Sequence, residues 1–290
     1  MSAVAVALVL AGSLVHAVWN LLVKRVPGGG PVFVWVYSLI SVVLLLPLAV
    51  LTVVRDEGIP LPVVGASAVS AVLHMVYAVA TQWAYARADM NVAYPVARGV
   101  GPLFVVVFAV VALHQRLTWL AVMGVVGVLA GVAIVSGGGK DESIGPPARS
   151  GASYGVVVGA SIAAYTLWDD HAINAIEADP LAYYVGTAVL QCVFLTAVCW
   201  RRRTRAVEAL RTSWRTATAL AVLVPLSYVL VLLAMQGAPI ALVATLRCTS
   251  IVFGSLAAWL LLRERSGAHR LAGAVVVLVG VGALILPGMV

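Results

Sequence analysis

Charged residues are scarce in this sequence. Of 290 residues, 18 are Lys or Arg and 11 are Asp or Glu, so 10% of the chain is charged while 63% is hydrophobic. A soluble domain of this size would have too little polar surface to cover its core. Apolar runs recur along the chain instead, and a helix needs about 20 apolar residues to cross a bilayer core. Because backbone groups in lipid must be satisfied within the segment, each run is predicted to form a transmembrane α-helix.

Motifs of soluble enzymes and pumps are also lacking. The sequence has no nucleotide-binding loop and no H-E-x-x-H zinc motif, and its three cysteines lie in apolar runs without metal or disulfide spacing. One hydrolase-type string, Gly151–Gly155, opens an apolar run instead of joining a strand to a helix. We therefore expect no enzyme activity, cofactor or metal. The net charge of +7 does not indicate nucleic-acid binding, because the basic residues are concentrated between the apolar runs.

The second half of the chain repeats the first with an offset of 149 residues (247 − 98 = 149). The offset aligns Trp19 with Trp168, Arg98 with Arg247, Phe104 with Phe253, Arg116 with Arg265, Gly124 with Gly273 and Gly131 with Gly280. Ten spans are predicted, at 2–23, 31–54, 63–86, 91–113, 118–136, 152–173, 181–200, 216–236, 240–262 and 268–286.

The stretch 137–150 has the composition of a linker, and it separates a first repeat at 1–136 from a second repeat at 151–290. Since each repeat contains an odd number of spans, the second must enter the membrane in the opposite orientation. The predicted fold is therefore an all-α polytopic membrane protein with ten transmembrane helices in two inverted five-helix repeats.

The distribution of Lys and Arg predicts the orientation. The loops after odd-numbered spans carry fourteen of these residues, whereas the loops after even-numbered spans carry two, Arg55 and Arg116. Positive residues concentrate on the cytoplasmic side. Both termini are therefore predicted to lie outside the plasma or inner membrane. The basic segment Arg201–Arg215 is expected to form a short helix on the anionic cytoplasmic leaflet.

Two arginines within the spans are the first candidates for a substrate site. Arg98 and Arg247 each lie seven residues beyond the start of their span. Inserting an arginine at the centre of a transmembrane helix costs about 2.5–3.5 kcal/mol of free energy. Inverted repeats would bring the two together from opposite sides of the bilayer. Guanidinium groups hold carboxylate or phosphate through two hydrogen bonds, so the pair predicts anion binding. The alternative is that each arginine reaches the interface or bonds a neighbouring carbonyl.

Polar residues on spans 1 and 3 are further candidates. His16, Trp19 and Asn20 share one face of span 1, and a histidine there could couple proton and substrate movement. His74 and Tyr77 belong to a polar face of span 3 that is expected to face a cavity. The alternative for His16 is a neutral side chain satisfied inside the bundle.

Asp169 ends span 6 and aligns with Asn20 under the repeat. It is a candidate to pair with an arginine or to accept a proton, and the alternative is a solvated carboxylate at the helix end.

Gly127 and Gly131 predict close helix packing. Pro95 and Pro102 are expected to kink or break span 4. The cavity is expected to be lined by spans 1, 3, 4, 6, 8 and 9.

Several motifs resemble the EamA type of the drug/metabolite transporter superfamily. They are His16–Asn20 followed by Lys24, the Tyr94-Pro95 pair that opens span 4, and the turn Arg263–Ser266 followed by a glycine-spaced helix. The turn is similar to the family's repeated Gly-Glu-Arg-Leu-Ser turn, although Gln115 replaces the usual acidic residue in the first copy. The related small multidrug resistance proteins carry a proton-coupling glutamate in span 1, eight residues before a lysine. His16 holds that position here, and its repeat partner is Tyr165.

The resemblance implies a secondary transporter of small polar or amphipathic metabolites, often an exporter. We predict export of amino acids or organic anions by alternating access at a central cavity between the repeats. The predicted substrate site comprises His16, Trp19, Asn20, His74, Tyr77, Tyr94, Arg98, Tyr165, Trp168, Asp169 and Arg247. The alternatives are a multidrug exporter, a membrane-embedded lipid- or peptide-modifying enzyme and a non-transporting scaffold. The expected partners are the substrate, the bilayer and, as a candidate coupling ion, the proton. A monomer can enclose the cavity, and a homodimer is the alternative.

Overall fold

The computed structural model describes residues 2–24, 26, 30–55, 58–87, 90–136, 148–262 and 268–285. Within these ranges the chain forms eleven α-helices and no strand. The helices are α1 (Ala3–Lys24), α2 (Pro31–Arg55), α3 (Leu61–Arg87), α4 (Met90–Val111), α5 (Trp119–Ser136), α6 (Ala148–Asn174), α7 (Pro180–Cys199), α8 (Arg203–Met235), α9 (Ile240–Leu246), α10 (Thr249–Leu262) and α11 (Ala268–Ile285). The all-α prediction is confirmed: nine predicted spans correspond to single helices, and the ninth span is divided into α9 and α10. The turn Arg263–Ser266 and residues 137–147 of the predicted linker lie outside the described residues.

The helices have the composition of membrane spans. Among the described residues, four stretches are long and apolar enough to cross a bilayer, namely Ala3–Val23, Pro31–Leu48, Leu61–Thr81 and Pro180–Met235. Shorter apolar helices lie at Val96–Val111, Trp119–Ile134, Ile240–Gly254 and Ala272–Leu284. Large apolar side chains also face outward. Trp119 is 77% exposed and Val279 is 69% exposed. Such an outer surface would be unfavourable in water and is favourable in lipid.

The packing of the helices follows the internal repeat. Under the offset, α1 corresponds to α6, α2 to α7, α3 to α8, α4 to α9 and α10 together, and α5 to α11. Helix α1 packs on α8, and its counterpart α6 packs on α3. Helix α2 also packs on α8, as α7 does on α3, and α4 packs on α6 as α10 does on α1. The pairs α5 with α11 and α2 with α7 are their own counterparts. A two-fold axis between the repeats requires this pattern.

Helices α5 and α11 approach each other through glycines. A Cβ added at Gly131 would lie 2.6 Å from the backbone nitrogen of Val277, and one added at Gly280 would lie 2.6 Å from the backbone nitrogen of Val128. A Cβ at Gly127 would lie 3.2 Å from the Cα of Gly280. A side chain at Gly131 or Gly280 would force the backbones apart, and one at Gly127 would be closer than ordinary contact, so the predicted packing role of Gly127 and Gly131 is confirmed.

A membrane helix is interrupted in the second repeat, whereas its counterpart in the first repeat is continuous. Helix α4 continues through Pro95 and Pro102, whereas its counterpart is divided at Arg247 and Cys248, between α9 and α10. The prolines therefore do not break span 4, and the alternative that they kink it stays a prediction. Close packing supports α4 at this point, because it lies against glycines of α6 that allow the backbones to approach.

Side-chain hydroxyls bind helix carbonyls on both sides of the break between α9 and α10. The Cys248 amide donates to the carbonyl of Thr245 at 3.1 Å, a bond to the third preceding residue. The hydroxyl of Thr245 donates to the carbonyl of Ala241 at 2.7 Å, and that of Thr249 donates to Leu246 at 2.8 Å. Hydroxyl groups that bind helix carbonyls compete with the regular backbone bonds and bend helices. The chain therefore tightens beside Arg247 without a proline.

The basic segment between α7 and the membrane-spanning part of α8 is helical, as predicted. A 3₁₀ turn at Trp200–Arg202 precedes α8, and Ser213 departs from helical geometry with φ −130° and ψ 27°. The exposed rings of Trp200 and Trp214 lie under the guanidinium groups of Arg203 (5.8 Å) and Arg215 (5.4 Å). Tryptophan and arginine are common at membrane interfaces, so this composition suits a position beside lipid headgroups.

Candidate functional site

A cavity of about 530 Å³ lies between the two halves of the helical bundle. Its described wall is formed by α1 to α4 from the first half and by α6 to α10 from the second. The expected lining by spans 1, 3, 4, 6, 8 and 9 was incomplete, because α2 and α7 also contribute. These two helices pack against each other across the repeats, which places both beside the cavity. Helices α5 and α11 pair with each other and contribute no described residue to the wall.

Most of the residues predicted to bind substrate lie on this wall. They are His16, Trp19, Asn20, His74, Tyr77, Arg98, Tyr165 and Arg247. The side chain of Tyr94 lies outside the described part of the chain. Trp168 and Asp169 are not on the wall. The indole of Trp168 donates to the carbonyl of Ala66 at 3.0 Å, which joins α6 to α3 within the core.

Arg98 and Arg247 line the same cavity, one from α4 and the other from the turn between α9 and α10. Both guanidinium groups act electrostatically on His16. The guanidinium of Arg247 lies 5.8 Å from the centre of the Tyr228 ring, within the range of a cation–π interaction. Among the described residues, no aspartate or glutamate lines the cavity. Two cationic side chains therefore line the wall of this cavity.

Asp169 is fully buried behind the wall and accepts hydrogen bonds from three hydroxyl groups. Ser70 donates to one carboxylate oxygen at 2.7 Å, and Tyr183 donates to the same oxygen at 2.6 Å. Tyr228 donates to the other oxygen. The donors come from α3, α7 and α8, so one carboxylate of α6 joins elements of both repeats.

Tyr228 links this buried carboxylate to the cavity. Its hydroxyl bonds Asp169, and its ring lies beneath Arg247 on the cavity wall. Sequence reasoning missed Tyr228, because the repeat offset aligns it with Val79 (228 − 149 = 79). It also missed Ser70 and Tyr183, for which the only signal was the position of Ser70 one turn before His74. A single polar residue in an apolar span does not reveal which carboxylate it contacts.

Aromatic rings continue the wall beside Tyr228. The His74 ring is stacked on Tyr165, with centroids 4.3 Å apart, and its edge contacts Tyr228 at 5.4 Å. Tyr77 contacts Tyr165 at 5.6 Å. The Nδ1 atom of His74 lies 2.9 Å from the carbonyl oxygen of Ser70. Since a carbonyl only accepts, this nitrogen carries the proton, and the ring orientation is fixed.

His16 and Trp19 form a second polar area of the wall, on α1. Their rings meet edge to face with centroids 4.7 Å apart. The amide of Asn20 donates to the carbonyl of His16 at 2.8 Å, so Asn20 supports the backbone at this point. The Nε2 atom of His16 and the Nε1 atom of Trp19 are buried and have no hydrogen-bond partner among the described residues.

The described ranges contain no group of three or more His, Cys, Asp or Glu side chains arranged to hold a metal ion. The expectation that the protein needs no cofactor or metal stays a prediction.

A model of the EamA-like transporter family matches residues 3–137 and, a second time, residues 149–286. The chain belongs to this family. The two matches flank the predicted linker, and they confirm the resemblance read from the motifs. The transporter is thus a multi-pass membrane protein that moves small molecules across a bilayer, as members of the family do.

A crystal structure of another protein has the same fold as the transporter. The TM-score is 0.76 at 13% sequence identity, over 98% of this chain and 97% of the other. This similarity concerns the fold alone. The comparison with curated proteins gives no match.

Proposed function

We propose that the protein is a secondary transporter that exports small anionic or zwitterionic metabolites, such as amino acids or organic anions. The observation that carries this proposal is the position of Arg98 and Arg247 on one cavity wall that has no described carboxylate. Arginines at membrane depth are costly. Two of them lining one cavity form a wall that is suited to bind an anionic ligand.

The anion would bind between the two guanidinium groups, each of which offers a planar set of donors to carboxylate or phosphate. Arg247 is held in place by the ring of Tyr228, and Tyr228 is held by Asp169. This arrangement reduces the conformational freedom that Arg247 loses on binding. Asp169 thus positions the cationic site from behind the wall.

Alternating access would open this cavity to each side of the membrane in turn. The two repeats pack with two-fold symmetry, so rocking one against the other exchanges equivalent contacts. The break between α9 and α10 is absent from α4. We propose that the second repeat bends at Arg247 while α4 moves as a single helix, so that the substrate-binding arginine moves with the gate.

The driving force is a proton gradient or exchange of solutes. His16 and His74 on the cavity wall and Asp169 behind it are the candidates to carry a proton. We place the protein in the plasma or inner membrane with both termini outside. One chain encloses the cavity, so we propose a monomer.

The test is transport into proteoliposomes with a panel of amino acids, organic anions and organic cations, with and without a pH gradient. Saturable counterflow of an anion or zwitterion that is lost in both Arg98→Gln and Arg247→Gln would support the proposal. Arg211→Gln is the matched control, because Arg211 is exposed on α8 outside the cavity. Transport of cations alone would favour a multidrug exporter and contradict the anionic site.

A further inference from the structure

We propose that the hydrogen bond between Tyr228 and Asp169 is a latch that keeps one side of the transporter closed. The closed side is that of the loops after even-numbered spans, which the predicted orientation places outside the cell. This inference rests on the proposed function, because a latch of this kind serves alternating access. It is carried by a difference between two regions that the internal repeat relates, an observation separate from the two arginines.

The cavity extends to the helix ends on one side of the bundle. Its wall includes residues at or close to those ends of α1 to α4 that lead to loops after odd-numbered spans: Val23, Gly30, Ala84 and Ala93. The opposite ends of α6, α8 and α9 are packed together instead. Ala172, Met235 and Ile240 lie there in one core cluster, and each is at most 2% exposed. The cavity therefore faces the odd-numbered loops in this structure.

The repeat offset pairs the open region with the closed one. Three residues of the first repeat line the cavity, and their counterparts are buried outside its wall: Asn20 with Asp169, Val23 with Ala172, and Val34 with Tyr183 (20 + 149 = 169). The helices differ in the same way. Both α6 and α7 pack on α8, whereas their counterparts α1 and α2 make no comparable contact with α3 in the part of the chain that the structure describes. Exchange of these two arrangements would open the other side, as alternating access between inverted repeats requires.

Tyr228 joins α8 to α6 in the closed region. Its hydroxyl donates to Asp169, and two further hydroxyl groups, from α3 and α7, donate to the same carboxylate. Helix α3 packs on α6 and α7, whereas α8 packs on α1 and α2. The carboxylate is thus held by one group of helices, and Tyr228 reaches it from another. The amide of Asn174 also joins α6 to α8, at 3.1 Å from the carbonyl oxygen of Met235, but this acceptor is neutral and the bond is therefore weaker.

The latch has no equivalent in the first repeat. The counterparts of Asp169 and Tyr228 are Asn20 and Val79. The amide of Asn20 donates to the carbonyl of His16 in its own helix, and valine has no polar group. A hydrogen bond to a buried carboxylate therefore stabilises the closure seen here, whereas the opposite closure lacks one. Its removal should shift the equilibrium toward the state that is open to the even-numbered loops.

The experiment measures how fast single cysteines react with a water-soluble maleimide in the full-length protein in lipid nanodiscs. The three native cysteines, all buried, are first replaced by alanine. Val23→Cys reports on the open side, because Val23 lines the cavity, and Ala172→Cys reports on the closed side, because its counterpart Ala172 is fully buried. Ala182→Cys, at the counterpart of the cavity residue Phe33, replaces Ala172→Cys if that variant does not fold.

We expect Tyr228→Phe and Asp169→Asn each to accelerate labelling of the closed-side cysteine by about ten-fold or more, the change in population that follows from losing a hydrogen bond to a charged group. Labelling of the open-side cysteine should not accelerate, because the two states exclude each other. Thr187→Val is the matched control. Thr187 is buried on α7, and its hydroxyl donates within its own helix, to the carbonyl of Tyr183 at 3.0 Å, so both rates should stay unchanged.

Three outcomes would overturn the latch. Faster labelling at both positions in one variant would indicate a general loosening of the bundle. An unchanged rate at the closed-side cysteine in both Tyr228→Phe and Asp169→Asn would show that their bond does not hold the closure. Equal rates at Val23→Cys and Ala172→Cys with the latch intact would contradict the closed side itself. Labelling needs no substrate, so failed counterflow of anions beside the expected labelling would contradict the anionic substrate and leave the latch in place.

Discussion

The buried carboxylate of Asp169 supports a quantitative prediction. Asp169 is fully buried and accepts hydrogen bonds from Ser70, Tyr183 and Tyr228. Tyr228→Phe removes one of these donors and keeps the aromatic ring, which remains available to Arg247. The loss should therefore be confined to the hydrogen bond between Tyr228 and Asp169.

The expected size of this loss depends on the charge of the acceptor. Hydrogen bonds between helices within a bilayer are worth about 0.6 kcal/mol on average, whereas bonds to charged groups contribute about 1.5–3 kcal/mol. The oxygen–oxygen distances from Ser70 and Tyr183 to Asp169, 2.7 and 2.6 Å, are typical of charge-assisted bonds. We therefore expect a coupling energy of about 1.5–3 kcal/mol between Tyr228 and Asp169.

The assay is a double-mutant cycle of Tyr228→Phe with Asp169→Asn, in which the free energy of unfolding is measured in mixed micelles. Tyr154→Phe is the control, because Tyr154 is partly buried on the same helix as Asp169 and does not line the cavity. A coupling energy of about 0.6 kcal/mol or less would refute the assignment of Asp169 as a charged acceptor and its role in positioning Arg247.

Two further predictions concern the fold. Gly280→Ala should destabilise the protein by about 1–3 kcal/mol, because the new Cβ would lie 2.6 Å from the backbone of α5. Gly282→Ala on the same helix meets open space and should have little effect. Equal shifts of the thermal unfolding temperature in the two variants would contradict the described contact. A reporter fused after Val290 should be active outside the membrane, because the loops after odd-numbered spans carry most of the Lys and Arg. A reporter active only in the cytoplasm would reverse the predicted orientation.

The helices and the arginine pair could be predicted because their signals are local or are repeated. Apolar runs fix helices in a membrane, and the offset of 149 residues identifies Arg98 and Arg247 as equivalent positions in inverted halves. Symmetry alone then brings the two to one cavity. The structure agrees, since both line it.

The break at Arg247 was not predicted because the usual signals pointed elsewhere. Pro95 and Pro102 favoured an interruption of span 4, yet packing on α6 keeps α4 continuous. The competing donors at Thr245 and Thr249 are ordinary residues in an apolar run.

The partners of Asp169 could not be found from the sequence for a different reason. Ser70, Tyr183 and Tyr228 belong to three helices, and each is unremarkable within its own span. The residue that aligns with Tyr228 is Val79, so the repeat gives no second copy to draw attention to it. Contacts of this kind depend on the rotation of each helix in the bundle, which the apolar pattern of a membrane span does not specify.

The most direct test of the cationic cavity is counterflow of a labelled organic anion in proteoliposomes that contain wild type, Arg247→Gln or Arg211→Gln. Removal of hydrogen bonds to a charged group costs about 1.5–3 kcal/mol, which is a loss of at least about ten-fold in affinity. The account predicts that Arg247→Gln needs at least about ten-fold more substrate than the wild type for half-maximal counterflow, while Arg211→Gln transports normally. Equal transport by all three proteins would contradict an anion site at Arg247.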